Sequence, residues 1–285
     1  MPLKPARLRN EALLAEIEQY KTDTANFHIW WLGQSGYLLL WQGQQVLIDP
    51  YLSDSLTRKY AGTAKEHVRL SELVIDPALL KEITIVTSSH NHTDHLDGET
   101  LIPIINNNPG ITFIIPEANR LFVTDRIKSA VDFPLGVTDG QTVTVGSFRF
   151  HGIPAKHNEM ERDEEGRAKF MGYVISFGGY NIYHSGDTLL FEGIEDLLKP
   201  FNIDVALLPI NGNDPARGIA GNFDSVEAVT LAKAIGAKMV MPCHYDMFEF
   251  NTADPAEFAA EAERVGQPYK VLEQGGHFSS ATLTK

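Results

Sequence analysis

Five β-branched residues in a row, Ile83-Thr84-Ile85-Val86-Thr87, open directly onto Ser88-Ser89-His90-Asn91-His92-Thr93-Asp94-His95. The apolar run predicts a short buried strand. The polar stretch after it cannot stay in a core. The chain must leave the sheet there, and it carries His90, His92, Asp94 and His95 out together. Loops at strand ends are where a rigid scaffold can turn several side chains into one cleft. Imidazole and carboxylate are donors for zinc, manganese and iron, so four of them within six residues predict a metal site.

The rest of the chain switches period twice. Residues 6–21 read as an amphipathic helix, with Leu13, Ile17 and Tyr20 on one face. Phe27–Leu32, Tyr37–Trp41 and Gln45–Asp49 read as strands joined by tight turns. The polar segment 53–72 has no period, and a loop of that length predicts a lid or a substrate-binding loop. A helix over Asp97–Asn106, a strand over Thr112–Ile115 and a helix over Glu117–Lys128 follow. Strands return at Thr142–Val145, Ser147–His151, Phe170–Phe177 and Tyr180–His184, the last two joined by Gly178-Gly179. The final hundred residues alternate: helices near 189–198, 225–235 and 255–265, and strands at Val205–Leu208, Lys238–Met241, Tyr269–Leu272 and Phe278–Leu283. Two β-rich stretches that each give way to alternation predict an α/β fold, two mixed sheets face to face with helices outside, in four layers. With no linker signal, residues 1–285 read as one domain, an N-terminal helix (1–22) and a core (27–285).

Composition narrows the function. The chain has 285 residues, 37 acidic against 24 basic, for a formal charge of −13. That balance argues against nucleic acid as the partner and against a basic membrane-surface helix. The N-terminus lacks the apolar stretch of a secretory signal, and no run is long enough to span a bilayer, so the expected location is cytoplasmic. Cys243 is the single cysteine. It allows no intrachain disulfide and reads as a small buried apolar residue.

Three further donors follow predicted strands: His157 in GIPAKHNE, Asp187 in YHSGDT and His244 in MPCHYD. Seven donors exceed one tetrahedral ion and suit two ions that share a bridging carboxylate.

His90, His92, Asp94 and His95 form the HxHxDH motif, and with it the sequence resembles the metallo-β-lactamase-fold hydrolases over about residues 27–280. The resemblance implies one ion on His90, His92 and His157. A second would sit on Asp94, His95 and His244, with Asp187 bridging. Asp49 matches an early strand-end aspartate that supports the metal-binding loop. A narrower resemblance is carried by WLGQSGY (31–37), HSGDT (184–188), LPING (208–212), Gly221-Asn222 and HYDMF (244–248). These are similar to the L-ascorbate-6-phosphate lactonase branch, whose members are cytoplasmic, commonly oligomeric, and use manganese or zinc.

These readings together predict a metal-dependent hydrolase that opens a small, phosphorylated sugar lactone such as L-ascorbate 6-phosphate. It would use two divalent ions, zinc or manganese with iron also open, and form a homo-oligomer. Asp94 would orient the nucleophile or take its proton. A phosphodiesterase of the same fold is the alternative, and a binding protein without activity is a third reading that predicts eroded ligands. Asn211, Arg217, Tyr245 and His277 are candidate substrate contacts, with Gln34 and Ser35 near the site. His184 would stand behind the ligands. His28 reads as structural, His151 as facing away from the side of Phe148 and Phe150, and His67 as exposed.

Overall fold

The computed structural model describes residues 2–216, 218 and 221–283. Two mixed sheets face each other. The first runs in the order β13-β1-β2-β3-β4-β5-β6. Its strands are β1 (His28–Gly33), β2 (Gly36–Trp41), β3 (Gln44–Ile48), β4 (Ile83–Thr87), β5 (Thr112–Pro116), β6 (Leu135–Val137) and β13 (His277–Ser279). The second runs β12-β11-β10-β9-β8-β7. It is built from β7 (Thr142–Val145), β8 (Phe148–Pro154), β9 (Met171–Phe177), β10 (Tyr180–His184), β11 (Val205–Pro209) and β12 (Met239–Cys243).

The first sheet is apolar on both faces because it has a core on each side. Along β1 and β2, Ile29, Trp31, Tyr37, Leu39 and Trp41 point between the sheets. Their neighbours Trp30, Leu32, Leu38 and Leu40 point outward. This is the two-residue period of a strand, filled with apolar residues at both phases. The outward set is covered by α1 (Asn10–Tyr20), α3 (Gly98–Asn107) and α4 (Arg120–Ile127) through Leu13, Ile17, Leu101, Ile104 and Val123. On the far side of the second sheet, α6 (Ser225–Ala234) and α7 (Pro255–Val265) bring Ala228, Val229, Leu231 and Phe258 into the core. The result is the four-layer arrangement expected from the sequence.

The differences are local. The expected strand at Tyr269–Leu272 makes only an isolated bridge, Val240 to Tyr269. The C-terminal strand is three residues long and passes into a 3-10 turn at Ser280–Thr282. The edge strand β6 lies where the β pattern is expected to return, from Val131 on, and is only three residues long. Segment 53–72 contains a short helix, α2 (Ser55–Lys59), and is packed against the body of the protein. Arg69 pairs with Asp54 at 2.7 Å, Leu70 N donates to Met247 O at 2.8 Å, and Tyr51, Leu56, Met247 and Phe248 form a small apolar cluster beneath it. No helix among the described residues is long and apolar enough to cross a membrane.

Strand direction positions the site. β3 and β4 are parallel, as are β10, β11 and β12. β8 runs antiparallel to β9, which is antiparallel to β10, so β8 points the same way as β10. The carboxyl ends of these strands carry the loops that hold the candidate donors, which is where α/β sheets place ligands.

Candidate metal centre

Each donor follows one of those strand ends closely. Asp49 follows β3, the His90–His95 loop follows β4, His157 follows β8, Asp187 follows β10 and His244 follows β12. The structure brings them together in two groups. One ligand atom each from His90, His92 and His157 lies within 4.8 Å of the others. Asp94, His95, Asp187 and His244 form the second group by the same measure. The first sheet supplies four of the seven residues and the second sheet three.

Local backbone sets the aim of these groups. Asp49 and His244 both hold left-handed backbone, at φ 42° and 64°, a conformation that costs non-glycine residues energy and clusters at functional sites. The His244 turn is tied by its N–H to Gln34 O at 3.0 Å. Gly186 holds φ +59°, and a Cβ there would come within 2.5 Å of Met171 O and 2.8 Å of Ser89 Cβ. Only glycine lets the chain turn there and deliver Asp187.

The donor set fits a divalent ion. His90 Nε2, His95 Nε2 and Asp187 Oδ1 are buried with no hydrogen-bond partner, which is rare unless another ligand is provided for. The opposite ring nitrogens are engaged. His95 Nδ1 lies 2.8 Å from Asp49 Oδ2, His157 Nδ1 lies 2.9 Å from Gly221 O, and His90 Nδ1 lies 3.0 Å from Ser89 Oγ. Such contacts fix the ring and leave the other nitrogen facing the site. Burial and the neighbouring His95 hold His90 well below the usual imidazole range. Burial and His157 push His92 down to about 4. Neutral rings with free lone pairs are what a metal requires. In the second group, burial would depress His95 and His244, but Asp187 and Asp94 hold both above their ordinary value. Burial would raise the two carboxyls, yet His95 holds both low, so they stay ionised. Two buried carboxylates that demand positive charge beside neutral imidazoles are an environment for a cation.

A second layer of contacts supports the first. Asp49 accepts from Ser89 N at 3.1 Å and Thr87 Oγ1 at 2.9 Å, so one carboxylate ties β3 to the loop after β4. Gln34 Nε2 donates to Asp94 Oδ2 at 3.1 Å. His184 Nε2 lies 2.9 Å from Ser35 O, behind the donors. Cys243 is buried in the core, and burial pushes its thiol up, so it stays protonated.

The donors form the floor of a cleft of about 470 Å³ lined by His92, Asp94, His157, Asp187 and His244. Its walls correct several expectations. His67 was expected to be exposed, but it is buried and lines the cleft. It stacks on Tyr60 at 4.8 Å and meets Phe248 edge-on at 5.0 Å. Its aromatic partners are spread over residues 60–250, and local sequence carries no sign of them. Tyr245 does not reach the cleft. Its ring stacks on Trp31 at 4.4 Å and its hydroxyl donates to Leu272 O, because the turn at His244 sends the next side chain into the core. His277 also lies elsewhere, stacked on Trp30 at 4.6 Å with Nε2 3.0 Å from His28 Nδ1. Asn211 sits one residue behind the wall, donating to Asn251 Oδ1 at 2.6 Å, and Asn251 itself lines the cleft. Arg217 lies outside the described residues. His151 faces away from Phe148 and Phe150, which lie in the core, as expected, and bonds to Thr142 and Ser176.

Comparison with known proteins agrees with this geometry. Residues 28–244 match the family model described as a beta-lactamase superfamily domain. A metal-dependent hydrolase of Archaeoglobus fulgidus is 30% identical over 249 residues, covering 86% of this chain and 94% of the relative. A probable L-ascorbate-6-phosphate lactonase of Escherichia coli is 25% identical over 309 residues, covering 93% of this chain and 84% of the relative. Among solved structures, the metallo hydrolase Igni18 of Ignicoccus hospitalis superposes with a TM-score of 0.65 at 23% identity, over 90% of this chain and 98% of that one. The motif after β4, the layered sheets and these relatives together place the chain in the metallo-β-lactamase superfamily, among its metal-dependent hydrolases.

Proposed function

We propose that the protein hydrolyses the ester bond of a small anionic lactone, with a phosphorylated sugar lactone as the preferred substrate class. The observation that carries this is the pair of donor groups on the floor of one cleft. Its volume suits a sugar-sized molecule. The chain's charge of −13 and the lactonase relative support the same class.

His90, His92 and His157 would hold one divalent ion. Asp94, His95 and His244 would hold a second, with Asp187 between them. Bound ions of this kind supply a nucleophilic water at neutral pH and polarise the scissile carbonyl. The chain's own residues do the rest. Asp94 stays ionised and is reached from the cleft, while Gln34 holds one of its oxygens. It orients the attacking water and takes its proton. The water oxygen bonds to the acyl carbon, the ring C–O bond breaks, and Asp94 passes the proton to the ring oxygen that leaves. One water is consumed and a hydroxy acid is formed. His67 and Phe250 shield one wall of the cleft from solvent.

The test is a panel of sugar lactone phosphates run beside bis(p-nitrophenyl) phosphate, with the protein as purified. Turnover of a lactone, abolished by His92→Ala in a protein that still folds, is the expected result. Cleavage of the phosphodiester alone would reverse the assignment.

A further inference from the structure

Arg126 closes α4 and reaches under the loop that carries the metal motif. Its Nη1 donates to Asn91 O and to Leu96 O, each at 3.2 Å. Its guanidinium lies 4.6 Å from the centre of the Phe122 ring. The group is thus fixed in place and half-buried at the edge of the cleft. Among the described residues it forms no ion pair, whereas the equally sunken Arg69 pairs with Asp54. The acid that acts on it most, Asp97, is engaged in capping α3 through Thr100 N and Oγ1, at 3.1 and 2.6 Å.

Lys59 lines the same cleft and reaches the same loop. It ends α2, and its Nζ lies 3.3 Å from Thr93 Oγ1. It too makes no ion pair among the described residues. In a chain with 37 acids and 24 bases, cations facing a cleft would ordinarily find carboxylates. Among the described residues of this cleft the only carboxylates are Asp94 and Asp187, and both belong to the donor set. A fixed guanidinium presents its N–H groups as a planar fork that suits an oxyanion.

We propose that Arg126 and Lys59 form an anion subsite that receives the phosphate of a phosphomonoester substrate while its ester end lies over the donor floor. Lys65 also lines the cleft, with its Nζ donating to Gly218 O at 3.1 Å; Arg126 and Lys59, the two at the donor loop, match the charge of a phosphomonoester near neutral pH. The inference rests on the hydrolase reading for its second half only, since the subsite would bind phosphate whatever bond is cleaved.

The experiment compares wild type, Arg126→Met, Arg126→Lys and Lys59→Met, each metal-loaded. The first readout is kcat/KM for a sugar lactone with and without its phosphate. Arg126→Met should lower the ratio of phosphorylated to unphosphorylated substrate at least tenfold, chiefly through KM. Arg126→Lys should fall between it and wild type, and Lys59→Met, on an exposed helix end, should lower the ratio severalfold without unfolding risk. Equal losses on both substrates would mean that Arg126 only braces the loop, and would overturn the subsite. The second readout is calorimetric binding of inorganic phosphate. Affinity at least tenfold weaker in Arg126→Met and severalfold weaker in Lys59→Met, with metal content unchanged, upholds the subsite even if no lactone is turned over, a case in which only the hydrolase reading fails. Loss of metal alongside the loss of affinity would mean bracing and overturns it. An unchanged affinity overturns the subsite.

Discussion

Asp49 Oδ2 stands 2.8 Å from His95 Nδ1, and neither residue has any exposed side-chain surface. The same oxygen accepts from Ser89 N. One buried carboxylate therefore fixes both the ring and the backbone of the donor loop. Burial would raise this carboxyl, but the hydrogen bond from His95 holds it low, so it is charged at working pH. Asp49→Ala should weaken metal retention or activity by about 10–100-fold, as loss of an outer carboxylate partner does elsewhere. Metal content by elemental analysis, measured beside kcat, checks this; full metal content at wild-type kcat would refute it.

Asp187 lies 3.2 Å from His95 Nε2 and 3.7 Å from His244 Nε2, at the centre of the donor set. Protein purified without added metal should carry close to two ions per chain, and Asp187→Ala should lose more than one of them. Retention of both ions in this variant would mean that the carboxylate bridges nothing.

The turn before Asp187 tolerates only glycine. Gly186→Ala must either shift Met171 and Ser89 or abandon its left-handed backbone. The strain should cost about 1–3 kcal/mol of stability and displace Asp187, so activity should fall further than denaturation midpoints alone would explain. A variant with normal turnover and only lower stability would show that Asp187 is held by other means.

Tyr245 follows a donor in sequence yet stacks on Trp31 in the core. Tyr245→Phe should leave KM unchanged and reduce stability by about 1 kcal/mol, through the lost bond to Leu272 O. A raised KM would place the hydroxyl in substrate binding after all.

His277 gives the fold an acid-sensitive contact. Burial, with His28 alongside, pushes its imidazole down to about 4. The unfolded side chain titrates near the ordinary imidazole value of 6.5. As pH falls from about 6.5 toward 4, the unfolded chain therefore takes up a proton that folded His277 refuses. The stability it contributes is full above 6.5 and is lost across that window. Urea titrations at pH 7, 6 and 5 should show a shallower decline for His277→Asn than for wild type. Identical slopes would assign the acid sensitivity to other groups.

Much of this was legible in the sequence because it was written locally. The strand over Ile83–Thr87, the capped helix after Asp97 and the hairpin at Gly178-Gly179 depend on neighbours along the chain. So does the donor motif, which a single loop carries. What escaped was set by distant contacts. His67 sits in a polar stretch, and its burial depends on Phe248 and Phe250. Arg126 carries no mark in the sequence, and its place at the site depends on the fold bringing Asn91 and Leu96 to it. Strand β6 is a three-residue edge piece held by pairing with β5 alone.

The division of the donor set between the two sheets has a consequence for biosynthesis. A nascent chain that has emerged only through Phe177 holds His90, His92, Asp94, His95 and His157, but neither Asp187 nor His244. The second group cannot close until His244 has been made. If two ions are held, the pair would be captured only after His244, at the end of β12, joins the other donors. The metal taken up would then be decided by which ions are available at that stage, and loading would report only on chains in which both sheets have formed.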